Sequence, residues 1–433
     1  MHGFGDGKRG EGKKGSEVSI VARDGLIAAL DIGSTKICCF IAQIDDLAGI
    51  RVTGMSHQAS AGVRSGVIVD LNAAERAITA AVHAAEQLAG ATVRDVVVNM
   101  NGGHLSSHSV LREMHLGGGA IRDADMRRLL QEGRTSVALE DRVMLHAIPV
   151  GYAVDGSSGV RDPRGMYGYS LGVRMHMVTA SRTVVQNLAT VIARCHLQMS
   201  DIVASPYASG LSSLVEDETD LGVTVIDMGG GTTSITVFYD GAAVFTDCIP
   251  IGGMHVTSDI ARGLSTPVNH AERLKTLHGS ALQSASDEKE MLDAPQVGED
   301  EDASPNRVPK SFLVSIIAPR IEETFELARM RLERSGVASV AGQRVVLTGG
   351  ACQLNGTREV AAHVLGKTVR IGRPLGLAGL AEATGGPAFA TAAGLLHFAM
   401  DDQGEARSAS VRSPAEFRGG FIGRIGGWFR ENF

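Results

Sequence analysis

Val223-Thr224-Val225-Ile226-Asp227-Met228-Gly229-Gly230-Gly231-Thr232-Thr233 is the stretch that decides the fold. Its β-branched opening reads as a buried strand. Asp227 closes the strand, and the three glycines make a bend where no Cβ shields the backbone N–H groups. A second strand follows over Ser234 to Tyr239, then Asp240-Gly241 as a hairpin turn, then a third strand over Ala242 to Ile249. The same grammar stands near the start of the chain. Leu26 to Leu30 leads into Asp31-Ile32-Gly33-Ser34-Thr35-Lys36, an apolar run follows from Ile37 to Ile44, and a turn over Asp45 to Gly49 precedes a third strand near Arg51 to His57. Two three-strand meanders, each with Asp-x-Gly at its first bend, imply an internal duplication: two related α/β domains facing each other across a cleft.

The bends carry phosphate chemistry. Gly33 and Gly229, Gly230 and Gly231 expose N–H groups to an anion, while Ser34, Thr35, Thr232 and Thr233 add hydroxyl donors. Lys36 supplies positive charge. Asp31 and Asp227, at the ends of buried strands, suit the water shell of Mg²⁺, which prefers oxygen ligands and keeps its waters. Far downstream, the strand Arg344 to Leu347 ends in Thr348-Gly349-Gly350, a side-chain-free surface for a nucleobase or ribose. Gly366-Lys367-Thr368 is a decoy: a P-loop needs a glycine where Ala361 stands.

Composition bounds the rest. The chain has 433 residues and a net charge of −7, which gives no electrostatic footprint for nucleic acid. Its five cysteines form no C-x-x-C pair, in keeping with a reducing cytosol. His104 and His108 lack a third ligand, so no structural metal is expected. Residues 1–25 are Gly- and Lys-rich without an apolar core and read as a disordered tail rather than a signal peptide. No apolar run reaches transmembrane length.

Leu71 to Ala89 is an Ala-rich periodic helix with Asp70 placed to cap it. Arg94 to Met100 is a buried-strand candidate. Residues 104–182 interrupt the first half with short strands (Val143 to Val150, Gly172 to Thr179) and a helix near Asp123 to Thr135, enough for a separate subdomain. Helices are expected over Val184 to His196, Val256 to Leu264, His270 to Leu277 and, starting at a proline, Pro319 to Arg334. Residues 283–307 turn acidic and polar and read as a mobile, disordered loop; residues 401–416 read as a linker.

The end of the chain, Phe417 to Phe433 (FRGGFIGRIGGWFRENF), has another character. On a helical wheel, Phe421, Ile422, Ile425, Trp428 and Phe429, with Phe417 and Phe433, fall within one arc of about 160°. Arg424, Arg430 and glycines occupy the opposite side. This is the pattern of a helix lying in a membrane surface. Its five glycines cost roughly 4 kcal/mol of helix propensity. Seven half-buried apolar side chains return roughly 7–10 kcal/mol, and each arginine adds about 1 kcal/mol near anionic lipid. One copy binds weakly; many copies on a polymer bind firmly.

With both Asp-x-Gly hairpins, the later Leu347 to Asn355 (LTGGACQLN) and Phe389 to Leu396 (FATAAGLL) as connecting helix, the chain resembles the actin-like ATPase superfamily over about residues 26–400. Within it, the subdomain inserted in the first half, the segment Ala271-Glu272-Arg273-Leu274-Lys275 followed by His278-Gly279, and the amphipathic end make it similar to the FtsA family of bacterial cell-division proteins. The resemblance implies an α/β, two-lobed fold of duplicated RNase H-like domains. They are 1A (26–103 and 183–215) and 2A (216–255 and 344–400), with an inserted SHS2-like α+β subdomain 1C (104–182), subdomain 2B (256–343) and a membrane-targeting helix (417–433). It implies ATP and Mg²⁺ as cofactors, with Glu272, Lys275, Gly349 and Gly350 at the adenosine.

It also implies a protein that polymerises and anchors the tubulin-like FtsZ to the cytoplasmic face of the inner membrane at the division site. The FtsZ C-terminal tail would dock on 2B, with Arg320 a candidate contact, and later division proteins would meet 1C. Hydrolytic relatives place a carboxylate before a proline near the first connecting helix. Ala204-Ser205 precede Pro206 here, so ATP is expected to be held and turned over slowly at most, by no assigned catalytic residue. A sugar or carboxylate kinase, or a pilus-assembly ATPase of the same superfamily, are the alternatives.

Overall fold

The computed structural model describes residues 25–45, 49–102, 104–298 and 306–400. The expected N-terminal tail up to residue 24, the linker and the amphipathic end with Phe421, Ile422, Arg424, Ile425, Trp428, Phe429 and Arg430 lie outside the described residues.

Two sheets repeat one topology. In the first lobe, Leu26–Ile32, Lys36–Asp45 and Gly49–Ala59 form an antiparallel meander. Asp95–Met100 then pairs parallel with the first strand, and Gln198–Ala204 parallel with that one. In the second lobe, Val223–Met228, Thr233–Tyr239 and Ala242–Ile249 make the meander, with Arg344–Thr348 and Thr368–Ile371 added in parallel. Both sheets run third, second, first, fourth, fifth strand, and the first also carries Leu377–Ala378 parallel to its third strand. Both faces are covered, which is why the strands read as near-continuous apolar runs. Ala28, Leu30 and Ile32 pack towards Leu71–Ala89 and Arg182–Arg194, while Ile27 and Ala29 pack with Leu395 and Leu396 on the opposite face.

Two segments cross between the lobes: the helix Ser205–Ser213 and a helix over 390–400. Tyr207 of the first packs against both inner sheet faces.

Each lobe carries an insertion at a different crossover. In lobe one it lies between the fourth and fifth strands: a four-stranded sheet, whose long strands are Arg142–Val154 and Ser170–Ser181, and the helix Asp123–Thr135 around Leu129, Met175 and Met177. These strands are longer than the short ones expected. The insert also touches lobe two. Ser107 Oγ lies 2.6 Å from His176 Nε2 and accepts a hydrogen bond from Thr246 N at 3.2 Å, and Arg161 pairs with Asp240 at 2.6 Å.

In lobe two the insertion follows the third strand and contains Gly253–Gly263, Val268–His278 and Lys310–Arg334. Two expectations are corrected here. The long helix begins at Lys310 and carries Pro319 inside it, because Leu313, Val314 and Ile317 are fully buried and packing outweighs the proline's lost hydrogen bond. Nor is the polar stretch 283–307 a loop throughout: Met291–Ala294 pairs antiparallel with Asn306–Pro309. Leu292 and Ala294 turn inward between exposed Met291 and Asp293, and Asp287 is buried against Lys310.

Candidate nucleotide site

The two meanders present matching bends to one cleft of about 630 Å³, within the usual range for a small-molecule site. In the first bend Gly33 N donates to Lys36 O at 3.0 Å; in the second Gly229 N donates to Thr232 O at 2.9 Å. The bends face each other closely. A Cβ on Gly231 would stand 2.6 Å from Ser34 Oγ, and one on Gly230 would overlap Thr35. Behind the second bend, Gly253 N and Met254 N donate to the carbonyls of Gly229 and Gly230 at 3.0 and 2.7 Å. The start of the helix Gly253–Gly263 is thereby seated on the bend.

Asp31 and Asp227 lie on the cleft floor and are nearly fully buried. Burial pushes the Asp31 carboxyl up to about 7, Lys36 opposing and Asp227 adding to the rise. Burial also raises Asp227, against the hydroxyls of Ser209 and Thr391. Two carboxylates lining one cleft, each penalised by desolvation, are a set that a hydrated divalent cation would relieve. Residues and group therefore fit.

Asn99 places Asp31. Its Oδ1 accepts from Ile32 N at 2.7 Å, and its Nδ2 donates to Asp31 Oδ1 at 2.8 Å and to Ser205 Oγ at 3.0 Å. Ser205, where hydrolytic relatives are expected to carry a carboxylate, is buried and donates to Met100 O at 3.2 Å.

Lys36 lines the cleft, but its ammonium donates to the Ala388 carbonyl and stands 3.5 Å above the Phe389 ring. Glu272 and Lys275 come together at 2.7 Å on one face of the helix Val268–His278. Lys275 Nζ also donates to Thr257 Oγ1 at 2.8 Å and to Gly253 O at 3.2 Å, which ties the pair to the helix behind the second bend. Gly349 has φ +83°, and a side chain there would overlap Asp227; only glycine suits both constraints. Gly349, Gly350, Glu272 and Lys275 all line the same cleft as the two bends.

Arg320 does not line it. Its guanidinium is bidentate to Asp259 on the neighbouring helix, with Nε at 2.6 Å, and also pairs with Glu323. Lys367 of the decoy motif is likewise elsewhere, donating to the Gly342 carbonyl.

Asn99, Ser209, Thr257 and Thr391 went unforeseen in the sequence, and Ser205 stood out only as a residue before Pro206 that is not a carboxylate. The only local trace was a run of small hydroxyl residues (Ser205, Ser209, Ser212, Ser213) inside a segment otherwise composed like a core helix.

Comparison with known proteins agrees with this architecture. The family profile described as "Cell division protein FtsA" matches residues 224–394, and the one described as "SHS2 domain inserted in FTSA" matches residues 102–179. The chain is 46% identical over 423 residues to the cell division protein FtsA of Agrobacterium fabrum, covering 95% of this chain and 96% of that one. It is 33% identical over 420 residues to that of Pseudomonas aeruginosa, covering 94% and 98%. Among solved structures, a chain of the PilM-PilN type IV pilus biogenesis complex superposes with a TM-score of 0.61 at 16% identity, covering 87% of this chain and 98% of that one. MreB5 of Spiroplasma citri bound to ADP gives 0.53 at 12% identity, covering 88% and 98%. The structural likenesses show the fold, an actin-like two-lobed α/β architecture, and the second family profile shows the SHS2 insert. The sequence identity, which runs along nearly the whole chain, places it in one branch of that fold: the chain belongs to the FtsA family of cell-division proteins.

Proposed function

We propose that this cell-division protein binds ATP with Mg²⁺ in the cleft between its lobes, polymerises, and holds filaments of FtsZ at the cytoplasmic face of the inner membrane. The observation that carries the nucleotide part is the pair of matching bends above Asp31 and Asp227. In this reading the phosphates would lie between Gly33–Lys36 and Gly229–Thr233, and Asp31 and Asp227 would hold the hydrated metal. Bound Mg²⁺ would neutralise phosphate charge. Gly349 and Gly350 offer a flat backbone to the adenosine, and Glu272 and Lys275 reach its ribose or base. MreB5 of Spiroplasma citri, of the same fold, is described bound to ADP, which supports a nucleotide here. Ser205, with its hydroxyl committed to Met100 O, offers no base to an attacking water. Turnover is therefore slow, below about one per second.

The membrane part rests on the sequence of Phe421 to Arg430, whose apolar arc suits anionic lipid. Family membership supports FtsZ as partner. Its C-terminal tail would meet the insert of lobe two near Arg320, and an unchanged FtsZ-tail affinity in Arg320→Ala would rule that residue out. Later division proteins would meet the inserted subdomain of lobe one.

The test is vesicle sedimentation of the full chain, of a variant ending at residue 416, and of FtsZ with each, with and without ATP and Mg²⁺. The full chain with ATP should carry FtsZ down with phosphatidylglycerol-containing vesicles, and the truncated chain should leave both in solution. Equal sedimentation of the two forms would overturn the anchor, and absence of any ATP-induced rise in melting temperature would overturn the nucleotide site.

A further inference from the structure

Two hydroxyls meet at the second bend where the lobe-crossing segments converge. Ser209 lies on the helix Ser205–Ser213 and Thr391 on the helix over 390–400. Their oxygens are 2.9 Å apart, and both donate to Asp227 Oδ2, Thr391 from 3.1 Å. Ser209 is fully buried and Thr391 nearly so. With two donors, Oδ2 is satisfied; the other oxygen, Oδ1, lies beside Gly349.

Thr391 is itself placed by a short segment held from both lobes. Thr348 Oγ1 and Gly349 N each donate to the Pro387 carbonyl at 3.0 Å, and Lys36 grips Ala388. A buried helix serine commonly bonds back to the carbonyl four residues earlier; the Ser205 carbonyl is 3.0 Å from Ser209 Oγ, but the single hydroxyl proton goes to the nearer Asp227 carboxylate. Thr391 differs: its recorded partners are the Asp227 carboxylate and Ser209.

We propose that Ser209 and Thr391 are positioning residues for the cation-bound nucleotide. By occupying Oδ2 they hold Asp227 in one rotamer, so that the carboxylate meets the metal's water shell without first reorganising. One donor comes from each segment that joins the lobes, so the carboxylate's orientation is tied to the angle between them. The inference rests on the ATP and Mg²⁺ reading above.

The experiment measures ATP affinity of the full chain calorimetrically, with Mg²⁺ and with EDTA, for wild type, Ser209→Ala, Thr391→Val and Thr391→Ser. The quantity of interest is the gain in affinity that Mg²⁺ confers. Ser209→Ala and Thr391→Val should each cut that gain roughly tenfold, the loss of one hydrogen bond to a charged acceptor. Metal-free affinity should be unchanged, and Thr391→Ser, which keeps the hydroxyl, should behave as wild type. A wild-type gain in both hydroxyl-less variants, a loss in Thr391→Ser equal to that in Thr391→Val, or a wild type that binds ATP equally well without Mg²⁺ would each overturn the inference. A wild type that binds no ATP under either condition would overturn the nucleotide reading itself, a separate outcome.

Discussion

Replacing Gly394 by alanine puts a methyl group between the two lobe-crossing helices. Gly394 lies within the helical stretch 390–400, where alanine is worth about 1 kcal/mol more than glycine. The structure reverses that sign. A Cβ at 394 would stand 1.7 Å from the Ala208 carbonyl oxygen, less than half an ordinary contact distance, so the helices must part by more than an ångström. Ala208 and Leu395 are fully buried, and neither helix has space to retreat into. Overpacking of a dense core costs about 3 kcal/mol at the upper end of its usual range. Less the propensity gain, the net loss is about 2 kcal/mol, a fall in melting temperature of about 2–3 °C for a unit of this size. Thermal unfolding followed by far-UV circular dichroism measures it. Gly151→Ala, where no atom lies within 4 Å of the added carbon, is the control and should stay within about 0.5 kcal/mol of wild type. A Gly394→Ala protein that melts at or above the wild-type temperature would refute the reasoning.

Further outcomes follow from the same contacts. Burial pulls the His146 imidazole down to about 3, with His176 contributing; the unfolded value is about 6.5. The fold thus favours the neutral ring, which accepts from Ala204 N at 2.9 Å. This contribution is whole above pH ~6.5 and drains away as pH falls towards 3, so urea midpoints of wild type should drop more steeply over that window than those of His146→Gln. At the contact between the lobe-one insert and lobe two, Ser107→Ala strips a partner from buried His176 and should cost about 1–2 kcal/mol in denaturant unfolding. Arg161→Ala breaks an exposed, solvent-screened pair and should leave the unfolding midpoint at the wild-type value. Gly349→Ala forces a left-handed backbone on alanine and displaces Asp227; about 1–3 kcal/mol of strain should weaken ATP binding at least about fivefold, read by thermal shift.

The bends were legible because their chemistry is local. Gly33 to Lys36 and Gly229 to Thr232 close their turns within four residues, and the strands on either side announce themselves by apolar, β-branched runs. The hairpin at Met291–Ala294 and Asn306–Pro309 was hidden because four-residue strands set among acidic residues give too short an alternation to read. Pro319 was taken for a helix start by a local rule that the burial of Leu313, Val314 and Ile317 overrides. Arg320 showed itself as a charge on a helix, but its partner Asp259 is 61 residues away and left no mark near it.

The chain by itself determined the duplicated meander, the two glycine-bearing bends, the place of the lobe-one insert and the amphipathic character of its end, since turn geometry, strand period and helical period are written within a few neighbouring residues. Only the tertiary structure decided which groups complete the two carboxylates. Asn99 reaches Asp31 across 68 residues and Thr391 reaches Asp227 across 164. It likewise decided that Gly394 admits no methyl group. Such contacts join side chains that meet only once both sheets and both crossing helices are packed, and no periodicity along the chain encodes them.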